Sequence, residues 1–184
     1  AVKKDFDIKG PVINNLMRKS SEATLFLISA TRIPAPDKGD NEMRMRKLAQ
    51  MLIEAEIPYI WLNFSDGKLQ DPPKNFFNIT LTLDVQNYIQ KADYLVQLSS
   101  RESFGNSVLE ALVNNVPVIC TPIEAFKDFG VEDGVNAHIV PFDMNFDVNK
   151  LRELFKQEDV SQYKDKNGNG KLDDSEKVNT NKLS

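Results

Sequence analysis

Residues 92–122, ADYLVQLSSRESFGNSVLEALVNNVPVICTP, decide how the rest of the chain is read. The segment divides into a short apolar strand (94–98), a polar turn, a helix (106–115) and a second buried strand (117–120). Glu102, Phe104, Gly105, Asn106 and Ser107 occupy the turn, so small residues and unpaired backbone N–H groups fall where a helix starts, an arrangement suited to binding an anion. Two acids bracket it. Glu110 interrupts the apolar set Val108, Leu109, Ala111 and Leu112, and a carboxylate on a packed face requires a partner. Alternatively, Glu110 only complements the helix dipole and Glu102 is solvated.

Outward from this unit, strands and helices or crossovers alternate. Residues 24–30, TLFLISA, form an unbroken apolar run of strand length, as a central parallel strand requires. The following loop, TRIPAPDKGDN, brings Arg32 and Lys38 off the strand's carboxyl end. Met43, Leu48, Met51, Leu52 and Ala55 have helical spacing over 42–56, with Arg44, Arg46 and Lys47 on a face read as solvated. Further strands are expected at 59–64, 76–81 and 137–141. Short helices are expected at 85–92, 124–129 and 148–157. Six strands so connected imply a single Rossmann-like, doubly wound, mostly parallel sheet with right-handed crossovers. With the usual order 3-2-1-4-5-6, strands 1 and 4 are neighbours where the order reverses, and the Arg32/Lys38 loop and the 102–107 turn open onto one crevice.

Composition narrows the classes. The 184 residues, 41% hydrophobic, suffice for one sizeable domain and hardly for two. A net charge of −4 argues against a nucleic-acid partner. The single Cys120 sits in an apolar strand, which precludes a disulfide framework and points to a reducing, cytoplasmic setting, including the inner face of a membrane. No apolar run approaches the roughly 18 residues of a membrane span, and no signal peptide is visible. The chain begins at Ala1 rather than methionine and reads as a fragment or processed chain. Residues 1–22 read as a polar leader, in which Asp5 and Asp7 are solvated. His138, in AHIVPF, reads as a packed or edge-strand histidine.

The domain itself is assigned to residues 23–158 and a polar tail to 159–184. Within the tail, DKNGNGKLDDSE at 165–176 matches the EF-hand calcium loop. Asp165, Asn167 and Asn169 supply oxygens, Gly170 the sharp turn, Lys171 its carbonyl, Asp173 a direct or water-mediated contact, and Glu176 a bidentate carboxylate. The flanks make poor helices and only one loop is present, so a plain polar tail is the competing reading.

The cluster ESFGNSVLE (102–110), followed by ALVNNVPVICTP, resembles the E-x7-E region of retaining glycosyltransferases of the two-Rossmann-domain (GT-B) architecture, specifically family 4. The resemblance covers roughly residues 24–141. It implies that the chain is the donor-binding half of an enzyme moving a sugar from a nucleoside diphosphate to a glycan or lipid-linked acceptor. It further implies that Arg32 and Lys38 hold the diphosphate with the amides near Gly105, Asn106 and Ser107, beside Phe104. Glu110 would hold the ribose hydroxyls and Glu102 the transferred sugar, with no metal at the transfer site. An amino-terminal acceptor domain would complete the enzyme, so this half alone should bind donor but hardly turn over. Two departures accompany the likeness: Asn63 to Gly67 replaces a glycine-rich loop, and Ile123, Glu124 and Ala125 replace paired glycines. The competing class is a non-enzymatic nucleotide-sugar binder or a calcium-dependent docking module. A docking module has no need for two cations and two carboxylates to converge.

Overall fold

The computed structural model describes residues 24–33, 39–80, 85–101, 106–153 and 155. Six strands form one sheet: β1 (Leu25–Ser29), β2 (Tyr59–Phe64), β3 (Phe76–Ile79), β4 (Tyr94–Gln97), β5 (Val118–Cys120) and β6 (Ala137–Ile139). They lie in the order β3-β2-β1-β4-β5-β6, and every pairing is parallel. Both the order and the parallel ladder agree with the sequence expectation.

Alternation along the central strands builds two cores. In β1, Phe26 and Ile28 join one apolar cluster while Leu25 and Leu27 join the other. The first cluster lies under α2 (Val85–Ile89), α3 (Asn106–Val113) and α4 (Glu124–Asp128) through Tyr88, Val108, Leu112 and Phe126. The second lies under α1 (Gly39–Glu54) and the 3₁₀ turn η1 (Val148–Arg152) through Met45, Leu48, Leu52 and Leu151. A strand buried on both faces is apolar at nearly every position, which is why these segments read as near-continuous runs. Each such side chain contributes about 1.5–3 kcal/mol by leaving water.

Helix ends are set locally. At the close of α3, Asn115 adopts a left-handed φ of 58°, and Val116 N–H donates to the Ala111 carbonyl (2.8 Å) while Asn115 N–H donates to Leu112 (3.0 Å). This pair of bonds satisfies the last carbonyls and turns the chain directly into β5, and Asn tolerates that φ better than most residues.

Three expectations need correction. Met43, placed on the packed face, is 68% exposed, and Met45 is the buried residue at 1%. Arg44, read as solvated, is only 7% exposed. The helix begins earlier than expected, at Gly39, and the rotational phase of its stripe is set by where it lands on the sheet. The third correction concerns 148–157, which opens as a 3₁₀ turn ending at Arg152, with Glu153 extended (φ −75°, ψ 123°). The Tyr94 hydroxyl lies 2.9 Å from both the Leu151 and the Glu153 carbonyl oxygens, so a core side chain competes for acceptors that a continuing α-helix would use.

Candidate functional site

Because β1 and β4 pair in parallel, Leu27 with Tyr94 and Ile28 with Leu95, their carboxyl ends emerge on the same edge of the sheet. Here the strand order reverses, which is where open α/β sheets bind ligands. On the β1 side, Arg32 is exposed, whereas Thr31 and Ile33 beside it are buried at 5% and 4%. Both neighbours are pinned from β2. The Asn63 carboxamide accepts from Thr31 N–H (3.0 Å) through Oδ1 and donates from Nδ2 to the Thr31 carbonyl (3.0 Å). Ile33 N–H donates to Ser65 Oγ at 3.1 Å. Behind them, Trp61 Nε1 donates to Ser29 Oγ (2.9 Å), which donates to Asn63 Oδ1 (2.6 Å). A flexible, charged side chain therefore projects from a backbone held on both sides.

On the β4 side, the chain leaves the ladder at Gln97, whose partner is Cys120. The Thr121 hydroxyl donates to the Ser99 carbonyl at 2.6 Å, and Arg44 Nε donates to the Leu98 carbonyl at 2.7 Å. Helix α3 starts at Asn106, which is exposed, followed by half-buried Ser107 and buried Val108. Glu110 is half-buried on the second turn, and its backbone carbonyl accepts from Asn114 N–H (3.2 Å) and Asn114 Nδ2 (2.8 Å).

Of the residues singled out in the sequence, Arg32, Asn106, Ser107 and Glu110 have described positions. The topology brings the loop carrying Arg32 and the loop leading to Asn106 to one edge. Lys38, Glu102, Phe104 and Gly105 lie outside the described residues, as do Asp165, Asn167, Asn169, Lys171, Asp173 and Glu176 of the calcium-loop pattern. Among the described residues, no group of three or more His, Cys, Asp or Glu side chains is placed to hold a metal ion, and no helix is long and apolar enough to cross a membrane.

Sequence reasoning missed the bracing side chains Asn63, Ser65, Thr121 and Arg44. A signal existed for Asn63: it falls within YIWLNF, where every residue is buried, and a buried amide without partners is costly.

His138 is packed, as expected for a histidine in an apolar strand, at 9% exposure. Its ring lies 4.8 Å from that of Phe155, centroid to centroid, and its Nε2 is 3.3 Å from the Tyr94 hydroxyl oxygen. Since that hydroxyl has one proton and two carbonyls within reach, its oxygen accepts from the ring, and the neutral tautomer carries its proton on Nε2. Burial lowers the His138 pKa below the ordinary 6.5; Asp133 and Glu153 oppose the shift and Lys150 adds to it. The unfolded chain thus takes up a proton before the folded chain does. Stability is complete above pH 6.5 and declines as pH falls from there through the lowered folded value. The melting temperature should therefore drop between about pH 7.5 and about pH 5.5, and His138→Gln should flatten the slope. Equal slopes in the two chains, followed by circular dichroism, would contradict this.

Comparison with known proteins adds independent findings. A family model described as "Glycosyl transferases group 1" matches residues 74–171, more than half of the 184. No curated protein matches the chain significantly. Among solved structures, WaaG, described as a glycosyltransferase involved in lipopolysaccharide biosynthesis, superimposes with a TM-score of 0.52 at 17% identity, covering 78% of this chain and 40% of that one. An S. aureus TarM mutant in complex with fondaparinux, alpha-GlcNAc-glycerol and UDP gives 0.54 at 19% identity, covering 73% and 28%. The pneumococcal O-GlcNAc transferase GtfA in complex with UDP and GlcNAc gives 0.51 at 15% identity, covering 85% and 31%. At these identities the likeness is one of fold, and this chain spans at most 40% of the length of these three structures.

Proposed function

This chain belongs to the glycosyl transferases group 1 family, and we propose that the carboxyl edge of its sheet is the donor-binding half of a retaining, family 4 transferase. The donor is a nucleoside diphosphate sugar, and the acceptor is a glycan or a lipid-linked acceptor held by an amino-terminal domain. The observation that carries this reading is the shared edge: Arg32, on a braced backbone, and the start of α3 flank the point where strand order reverses. Arg32 and Lys38 take the diphosphate together with the amides of Gly105, Asn106 and Ser107, beside Phe104. Glu110 accepts from the ribose hydroxyls, and Glu102 from the sugar hydroxyls.

Breaking the bond from sugar to phosphate develops negative charge on the leaving diphosphate and oxocarbenium character on the sugar. Preorganised donors at that oxyanion are worth about 3–4 kcal/mol of barrier each. The UDP present with TarM and with GtfA makes uridine diphosphate the first ligand to try.

Melting curves of this chain with nucleoside diphosphates and nucleotide sugars test the reading. A ligand at about a hundred times its Kd stabilises the folded state by about 2.7 kcal/mol, or about 5–10 °C in a domain of this size. If no member of the panel raises the melting temperature, the donor site is wrong. For residues 165–176 we carry calcium as a proposal on ligand spacing alone. Adding calcium to the same panel and following the tail amides by NMR reads it, and unmoved shifts at about millimolar calcium exclude it.

A further inference from the structure

The last ladder contact of β4 is Gln97 with Cys120, so the carbonyls of Leu98 and Ser99 lie beyond the sheet's own hydrogen bonds. Each is capped from a different element. Thr121 Oγ1, at the end of β5, donates to Ser99 at 2.6 Å, and Arg44 Nε, on α1, donates to Leu98 at 2.7 Å. Arg44 Nη2 continues to Ser100 Oγ at 2.6 Å and to Asn41 Oδ1 at 3.4 Å, and the guanidinium stands 5.6 Å from the centroid of the Phe142 ring in the segment after β6. One planar fork therefore joins α1, the chain leaving β4 and the segment after β6.

Burying a guanidinium at 7% exposure is costly, and the Asp40 carboxylate on the same helix offsets that cost only in part. The neighbouring core positions on α1 are filled by Met45, Leu48 and Leu52. Packing alone asks for another such residue at position 44. What an apolar side chain cannot do is grip a carbonyl and a hydroxyl two residues apart, which is the geometry that a rigid fork of donors supplies.

We propose that Arg44 is a positioning residue for the donor site: it sets the course of the chain through Leu98 and Ser100 and so the placement of the α3 start, without itself touching the donor. This rests on the donor-site reading given above. A displacement of about 1 Å at such a site can cost as much as a hundredfold in function, so a residue remote from the ligand has leverage.

The test is calorimetric titration of UDP into this chain and its variants, each well below its own melting temperature. Arg44→Met keeps the apolar stem and removes all donors, and we expect its UDP Kd to rise about tenfold. Arg44→Lys keeps the charge, loses the fork and should restore little of the affinity. Tyr59→Phe serves as the stability control. It removes a hydroxyl bond to the Lys74 carbonyl at the opposite, amino edge of β2, and should lower the melting temperature without moving Kd. A Kd for Arg44→Met within twofold of the wild type overturns the inference. Should Arg44→Met not fold, Ser100→Ala removes one bond only, with about a threefold weakening expected; an unchanged Kd then overturns it. If the wild-type chain has no measurable affinity for UDP or any other nucleoside diphosphate, the donor-site reading fails and takes this inference with it. Wild-type binding with unmoved variants defeats this inference alone.

Discussion

On the proposed donor-site reading, alanine at Arg32 or at Lys38 should slow sugar transfer by the complete enzyme by about 10²–10³, with the melting temperature nearly unchanged for Arg32→Ala. The physical reason lies in where the charge sits. Arg32 is exposed while its neighbours Thr31 and Ile33 are buried and hydrogen-bonded to Asn63 and Ser65, so the guanidinium is free to meet an anion but its root is not free to drift. An exposed side chain of this kind contributes little to folding, within about 0.5 kcal/mol. Its removal therefore registers in function and barely in stability. Arg32→Lys keeps the charge without the bidentate geometry and should fall between. Transfer rates within threefold of wild type in both alanine variants would refute the diphosphate assignment.

Asn63→Ala should produce the largest loss of stability among single changes at this edge. It strips partners from Thr31 N–H, the Thr31 carbonyl and the Ser29 hydroxyl proton, all buried, while Trp61 Nε1 keeps its acceptor in Ser29 Oγ. Alanine offers none of these groups a replacement. Each of the three buried groups left without a partner costs about 1–3 kcal/mol, so a loss of at least about 3 kcal/mol is expected. At about 2–4 °C per kcal/mol this lowers the melting temperature by about 6 °C or more. Asn63→Asp should do no better near neutral pH, because it sets a carboxylate oxygen against the Thr31 carbonyl where the amide had a donor. The same variants should weaken nucleotide binding, since the backbone beneath Arg32 loses its anchor. A melting temperature within about 3 °C of wild type would show that the network is dispensable.

How much could be read in advance follows from the range of the forces involved. Strands such as β2, YIWLNF, and β1, LFLIS, declare themselves as largely apolar runs because both faces of a central parallel strand are covered. Their order follows because right-handed crossovers leave few ways to wind such a chain. The clustering of candidate residues in the loops after β1 and β4 follows in turn, since ligands of open α/β sheets bind at carboxyl ends where the order reverses. The phase of α1 was not legible. Met43 and Met45 are chemically alike and two residues apart, and the choice between them depends on how the helix lands on Trp61, Tyr94 and Val96 of the sheet.

Nor were the braces legible. Asn63 reaches Thr31 across 32 positions, Arg44 reaches Leu98 across 54, and Tyr94 reaches Leu151 across 57, where it competes for the carbonyls a longer helix would use. Strand and helix periodicity is a property of neighbours along the chain, so the order of residues alone set the architecture and the sheet topology. Which polar side chain completes which backbone group at that edge was decided only once the strands had assembled. An orphaned carbonyl beyond the last ladder bond takes whatever donor the folded chain carries within about 3 Å.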